Sequence, residues 1–163
     1  MKRNLSITIG ITAFNEGNLL NEAWYSVLNQ TIDNWEAIIV LDGGGDKKTK
    51  KIFQLIENPK LKKFHFDNNQ GTYLCRTKAI EMTETDWYFQ LDGDDLLPTN
   101  AVELVLNKIN VSPDANFISG ACKHFALGPD QIKLPENNPE RLCISPLFFA
   151  QAPIRKKLFN RMG

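Results

Sequence analysis

Residues 90–100, QLDGDDLLPTN, place three carboxylates within four positions: Asp92, Asp94 and Asp95. An apolar run, Trp87-Tyr88-Phe89, leads into them, so like charges crowd the end of a strand that reads as buried. Carboxylates this close repel one another unless something positive sits between them. Two arrangements relieve that repulsion. One is a solvated Asp-Gly turn, followed by a helix whose N-terminal dipole welcomes acid. The other is a hard divalent cation. Asp92 and Asp94, separated by one glycine, can present both carboxylates to one magnesium or manganese ion, which takes carboxylate oxygens together with substrate phosphates and water. Placement at the carboxyl end of a parallel strand favours the cation. Asp95 can serve the turn or the following helix instead.

Two further turns carry residues of this kind. Asp42 closes the apolar run IIVL and precedes three glycines. A carboxylate there can accept from a base N–H or a ribose hydroxyl; equally, it can be the polar lip of a tight turn. The glycines let the backbone approach a ligand or take positive φ. No G-K-[ST] follows and the spacing is not G-x-G-x-x-G, so neither a phosphate-cradling loop nor a dinucleotide fingerprint is present. Thr12, Phe14 and Asn15 end the first apolar-alternating run; an aromatic there can stack on a flat base or simply fill the core. Arg76, early in a helical stretch, can pair bidentately with a base or phosphate, or be an exposed helix cation. His65 and His124 have no Ser or Cys partner at recognisable spacing and read as structural. Nothing resembles a nucleophile elbow.

These residues need a scaffold, and the chain supplies a regular one. Leu5, Ile7, Ile9 and Ile11 alternate with Ser6, Thr8, Gly10 and Thr12, which is strand period. EGNLLNEAWYSVLNQ puts Leu19, Leu20, Ala23, Trp24, Val27 and Leu28 on one helical face. WEAIIVL is nearly all apolar, as a strand covered on both faces requires. A helix follows over 47–57 with Ile52, Leu55 and Ile56 at helical spacing, ended by Asn58-Pro59. LKKFHF reads as a strand, 72–83 as a helix with Cys75, Ala79 and Met82 inward, and DWYFQL as the fourth strand. Asn100 and Glu103 form a capping-box start for a helix striped by Val102, Val105, Leu106 and Ile109. ANFISGA reads as a fifth strand. Strands alternating with helices imply crossovers and a mostly parallel sheet. In such sheets ligands bind beyond the carboxyl ends of the strands, and the turns 12–16, 42–46 and 92–95 all lie there. From about residue 126 the pattern dissolves into a stretch with five prolines and no clean period, of which Pro146–Ala150 is apolar enough to pack.

Composition bounds the function classes. With 163 residues, 42% apolar and 23% charged, the chain fits one domain with a real core. Nineteen basic residues balance nineteen acidic ones, so no global field recruits nucleic acid. Cys75, Cys122 and Cys143 form no C-x-x-C pair, which fits a reduced compartment and argues against structural zinc. The opening MKRNLSITIGIT lacks the continuous apolar region of a signal peptide, and no run approaches the ~18 apolar residues of a membrane span. The cytoplasm is the expected location, and peripheral contact with the inner face of the membrane is compatible with it.

Together the motifs resemble glycosyltransferase family 2, whose A-type fold binds nucleotide-diphosphosugars. ITAFNEGNLLNEAWYSVLNQT resembles the opening strand, N-E turn and helix. WEAIIVLDGGGD resembles the E-[ILV]-[IV]-V-D-D-G-S-x-D stretch, NQGTYLCRTKAI resembles N-x-G-x-x-x-A-R-N, and DWYFQLDGDD the strand carrying D-x-D-D. The likeness covers roughly residues 5 to 122. It implies an α/β fold, a Rossmann-like, mostly parallel sheet with helices on both faces, divided into a donor-binding domain over 1–125 and the start of an acceptor-side region over 126–163. It further implies a donor site of Thr12, Phe14, Glu16, Asp42, Arg76, Asp92 and Asp94. Phe14 would stack near the base, Asp42 would hold it, and Arg76 would lie near the nucleotide. Asp92 and Asp94 would hold Mn2+ or Mg2+ with the diphosphate, Asp94 ligating directly. Leu41, Gly44 and Thr77 depart from the family's Asp, Ser and Asn.

The implied reaction is metal-dependent transfer of a sugar, with inversion, from a nucleotide-diphosphate donor to an acceptor hydroxyl. The acceptor would be a glycan or a lipid-linked molecule, in polysaccharide or cell-envelope glycan synthesis. A carboxylate at Asp42 suits uracil N3–H, so the donor is expected to be a UDP-sugar. IRKKLFNRMG resembles the segment that precedes the family's catalytic Asp, so the base is expected beyond Gly163 and the chain reads as truncated at its C-terminus. Two other readings accompany this one: a non-catalytic sugar-nucleotide-binding module, and a nucleotidylyltransferase, whose G-x-G-x-R-type loop TAFNEGN does not supply.

Overall fold

The computed structural model of the chain describes residues 5–120, 122–123, 131–132 and 151–162. Strands β1 (Ile7–Ala13), β2 (Trp35–Leu41), β3 (Leu61–His65) and β4 (Trp87–Asp92) alternate with helices α1 (Asn18–Leu28), α2 (Lys47–Leu55), α3 (Thr72–Met82) and α4 (Ala101–Val111). The short pair β5 (Cys122–Lys123) and β6 (Gln131–Ile132) follows, then β7 (Ile154–Arg155) and α5 (Lys156–Met162). One sheet runs in the order β3-β2-β1-β4-β7. Its first four strands are parallel, and β7 lies antiparallel against β4. The α/β sheet read from the alternating pattern is therefore present.

Every residue of β1 is buried, because helices cover both sides of the sheet. On one face Ile7, Ile9, Ile11, Ile39, Leu41 and Leu91 meet Leu20, Trp24 and Val27 of α1 and Val102 and Leu106 of α4. Each such fully buried aliphatic side chain contributes about 1.5–3 kcal/mol relative to exposure. On the other face Ile38, Val40 and Tyr88 meet Cys75, Ala79 and Ile80 of α3. There β1 presents only Thr8, Gly10 and Thr12. The small Gly10 makes room for an aromatic ring, since a Cβ on it would lie 2.3 Å from the Tyr88 side chain.

The strand order decides where a ligand fits. The chain steps outward from β1 to β2 to β3, then returns to place β4 on the other side of β1. The crevice at that reversal opens beyond the carboxyl ends of β1 and β4, where Thr12 pairs in register with Asp92.

Several local expectations are corrected. ANFISGA does not form a strand; Phe117 makes one isolated antiparallel bridge to Ile154, and β7 takes the edge of the sheet beside β4. The segment instead lies beyond β7, with Ile118 N–H donating to the Pro153 carbonyl at 2.9 Å and Arg155 N–H to the Asn116 carbonyl at 2.8 Å, while the Arg155 guanidinium lies 4.9 Å from the Trp87 ring. In α1 Leu19 and Leu28 are exposed, and the buried stripe narrows to Leu20, Ala23, Trp24 and Val27. In α2 the buried residues are Thr49 and Phe53, while Leu55 is exposed. Met82 is only half-buried at the margin of its cluster. Asn100 precedes α4 as expected but makes no capping hydrogen bond. Glu103 instead accepts from Thr31 Oγ1 at 2.9 Å, so the acid ties the loop after α1 to the first turn of α4 rather than closing a box. His124, Cys143 and Pro146–Ala150 lie outside the described residues. Among the described residues no helix is long and apolar enough to cross a membrane.

Candidate functional site

The turns at the carboxyl ends of the strands are fastened to one another by their own backbones. Gly93 N–H donates to the Thr12 carbonyl at 2.9 Å, joining the acidic turn to the end of β1. Asp46 N–H donates to Asn15 Oδ1 at 2.7 Å and Gly17 N–H to Thr49 Oγ1 at 2.8 Å, joining the first turn to the second. A Cβ on Gly45 would lie 2.0 Å from the Phe14 carbonyl oxygen, so only glycine lets these turns touch. Asp42 joins the second turn to the segment before α3. Its Oδ1 accepts from Gly43 N–H at 2.9 Å and Gln70 N–H at 2.7 Å, and its Oδ2 from Gly71 N–H at 2.9 Å.

These turns enclose a pocket of about 280 Å³. Its lining includes Thr12, Phe14, Glu16, Asp42, Arg76, Asp92 and Asp94, so the seven residues singled out in the sequence lie around one space. Ala13, Thr72, Cys75 and Gly93 complete it. Glu16 folds back so that its carboxylate accepts from Phe14 N–H, which fixes the turn that carries the aromatic ring. Asp46 lies outside the pocket and caps α2, accepting from Lys48 N–H at 2.8 Å and Thr49 N–H at 2.9 Å. The Thr49 hydroxyl, and then these N–H groups, hold its carboxyl below the usual range.

The acidic turn splits into three roles. Asp92 is paired: Arg76 Nη2 lies 2.8 Å from both of its oxygens. Gln90 Nε2 also donates to its Oδ1 at 3.0 Å, and Gln151 Nε2 to its Oδ2 at 3.2 Å. Asp95 serves the turn, its N–H donating to the Asp92 carbonyl at 3.0 Å while its carboxylate accepts from Gln151. Asp94 is exposed on the pocket rim and has no hydrogen bond or ion pair among the described residues. The positive charge that relieves the cluster is therefore partly supplied by the protein, through Arg76. One carboxylate is left for something else. No group of three or more His, Cys, Asp or Glu side chains gathers as a metal site among the described residues. A magnesium- or manganese-type ion does not need one, since one or two carboxylates plus substrate phosphates and water make its usual shell. Asp94, with Asp92 beside it, fits that pattern.

Three residues around the site escaped the sequence reading. Gln90, only 3% exposed, is a polar side chain inside the apolar run WYFQL, and that contrast was its signal. Gln151 reaches the turn from more than fifty residues away, and no local pattern marks it. Cys75 was assigned to the core, where burial and then the charge of Asp42 push its thiol up to about 12. His65 stands apart from the pocket, exposed at the end of β3 with its ring 6.2 Å from that of Phe53.

Comparison with known proteins agrees with this architecture. The family model described as Glycosyl transferase family 2 matches residues 8–161. An uncharacterized glycosyltransferase of Haemophilus influenzae is 33% identical over 102 residues, covering 62% of this chain and 41% of that protein. The crystal structure of S. aureus TarS 1–349 in complex with UDP superposes with a TM-score of 0.76 at 15% identity, over 97% of this chain and 49% of that one. The mannosyltransferase PcManGT from Pyrobaculum calidifontis, in complex with GDP-Man and Mn2+, gives 0.66 at 18% identity, over 96% of this chain and 46% of that one. The chain thus spans under half the length of each of these three proteins.

Proposed function

The chain belongs to glycosyltransferase family 2, and from that premise we propose that its pocket takes a nucleotide-diphosphosugar, with UDP as the nucleotide, for transfer of the sugar to an acceptor hydroxyl. The observation that carries the proposal is the convergence of Phe14, Asp42, Arg76, Asp92 and Asp94 on one pocket at the reversal of strand order. The neighbour solved with UDP and the neighbour solved with GDP-Man and Mn2+ support the same ligand class.

Each residue has a task in this reading. The Phe14 ring stacks on the base. Asp42 accepts from three backbone N–H groups and faces the Cys75 thiol, which fixes the wall of the base pocket, and its carboxylate holds the base N–H. Arg76, aimed by Asp92, meets negative charge on the donor. Asp94, with Asp92, holds a manganese or magnesium ion, which when bound neutralises charge on the leaving diphosphate. The displacement is in-line and inverting, through an oxocarbenium-like state, by analogy with glycoside hydrolysis. The acceptor's proton is proposed to pass to a carboxylate acting as general base. The acceptor is proposed to be a glycan or lipid-linked hydroxyl.

Calorimetric titration of UDP with and without manganese tests this directly. Metal-dependent binding that falls at least ~10-fold in Asp94→Asn is expected, a loss of about 1.4 kcal/mol or more. Absence of binding to UDP, GDP and dTDP alike would overturn the proposal.

A further inference from the structure

Gln90 is a costly residue where it stands. It is 3% exposed in a strand buried on both faces, and a buried amide is tolerated only when its hydrogen bonds are made. An apolar side chain of similar size would fill the same space without that requirement.

Its hydrogen bonds run in one direction. The Tyr88 hydroxyl donates to Gln90 Oε1. The two N–H groups of Gln90 Nε2 are then shared among Thr12 Oγ1, the Leu91 carbonyl and Asp92 Oδ1, each 3.0 Å away. Thr12 Oγ1 donates in turn to the same Asp92 oxygen at 3.3 Å. The head of this chain is fixed because Tyr88 occupies the slot that Gly10 leaves open. Burial keeps the Tyr88 phenol well above its ordinary pKa, against the pull of Arg76 and with the push of Asp92, so it remains an O–H donor. Two of these donors, Gln90 Nε2 and Thr12 Oγ1, end on one oxygen of Asp92.

The far side of Asp92 shows what the chain is for. Arg76 Nη2 bonds both Asp92 oxygens, while Arg76 Nε is buried without a partner. Among the described residues, the hydrogen bonds of the guanidinium all go to Asp92. The aim of Arg76 into the pocket therefore depends on how Asp92 is held, and Asp92 is held from inside the sheet by Gln90.

We propose that Gln90, backed by Tyr88, is a positioning residue of the donor site: it locks the Asp92 carboxylate from within the sheet so that Arg76 is pre-aimed at the anionic part of the donor. This rests on the reading of the pocket as a nucleotide-diphosphosugar site. Preorganisation of this kind raises affinity by removing the cost of ordering the group on binding.

Two variants of the 163-residue chain test it. Gln90→Leu removes the amide and keeps the bulk; UDP affinity in manganese should fall about 10-fold, with Tyr88→Phe giving a smaller loss of about 2- to 3-fold. The free protein offers a readout without ligand: exchange of the Arg76 Nη protons, followed by NMR, should be several-fold faster in Gln90→Leu.

Unchanged UDP affinity and unchanged Arg76 exchange in Gln90→Leu would overturn the proposal. If wild type binds no nucleoside diphosphate, the donor reading fails and takes the positioning role with it. Faster Arg76 exchange would then identify the relay as a purely structural one.

Discussion

At the residue scale, the D-x-D turn holds two carboxylates with different surroundings, and substitution should separate them. Asp92 is partnered on both oxygens and Asp94 has no partner among the described residues. Asp92→Asn removes the countercharge of a half-buried guanidinium, so stability should fall by about 1–2 kcal/mol, at the low end because both groups keep some exposure. For a domain of this size that lowers the midpoint of thermal unfolding by about 2–8 °C. Asp94→Asn should leave the midpoint unchanged while removing metal-dependent nucleotide binding. Parallel thermal melts and titrations of the two variants decide this, and equal melting losses would contradict the division of roles. Cys75 makes a second prediction. Its thiol is raised from an ordinary value of 9.0 to about 12, by burial first and by Asp42 second. A thiol raised in the folded state favours folding while it is protonated. That contribution is complete below pH 9 and is lost as pH rises towards 12. Urea melts should therefore show wild type losing more stability than Cys75→Ala across that window. At neutral pH iodoacetamide should alkylate Cys75 far more slowly in the folded protein than in urea, although the residue lines a pocket.

At the scale of the elements, the strands and helices are held by contacts that tolerate little change. Gly10 sits under the Tyr88 ring, and a Cβ placed there would come within 2.3–2.6 Å of three ring and hydroxyl atoms. Gly10→Ala should cost about 1–3 kcal/mol through overpacking. A smaller residue at position 88 should recover part of that loss, and a double-mutant cycle with Tyr88→Val measures the coupling. The C-terminus of α2 is closed from the neighbouring strand. Lys63 Nζ on β3 donates to the carbonyls of Phe53, Gln54 and Ile56 at 3.1, 3.2 and 2.9 Å. A cation at a helix C-terminus satisfies orphan carbonyls and the dipole together. Lys63→Met should lower stability by about 1 kcal/mol and speed amide exchange in the last turn of α2. Exchange confined to β3 would argue against the capping role.

At the scale of the whole molecule, the last described segment completes the sheet it returns to. β7 covers the outer edge of β4, Arg155 stacks on Trp87 and donates to the Ala115 carbonyl, and Gln151 bridges Asp92 and Asp95. The edge is otherwise an apolar strand, WYFQL, of the kind that pairs with other chains when bare. A chain ending at residue 150 should therefore melt earlier than 1–163 and associate in a concentration-dependent way on size-exclusion chromatography. A monomer of unchanged stability would show that β7 is dispensable. The same return segment supplies a side chain to the acidic turn, so the shape of the site and the closure of the sheet are one property.

Much of this protein was legible in its residues, for a local reason. Strand period in Leu5–Ile11, the doubly covered run WEAIIVL and the helical stripes are set by which face must leave water, and that is written in near neighbours. The polar turns after such strands followed with them, as did Phe14, Asp42, Arg76, Asp92 and Asp94 as the residues with chemistry to offer. What the pattern could not contain was anything set by pairing between distant segments. The order β3-β2-β1-β4-β7 puts the crevice between β1 and β4, and no local period encodes which strands are neighbours. The exchange of ANFISGA for β7 at the sheet edge has the same origin. So does the fate of Asp92. Its spacing from Asp94 was equally good for two ligands of one ion, and only the packing of α3 across β1 and β2 brought Arg76 to it. Residue type determined which groups could act; tertiary contact, by burying some and pairing others, decided which were already occupied and which one stands open to a ligand.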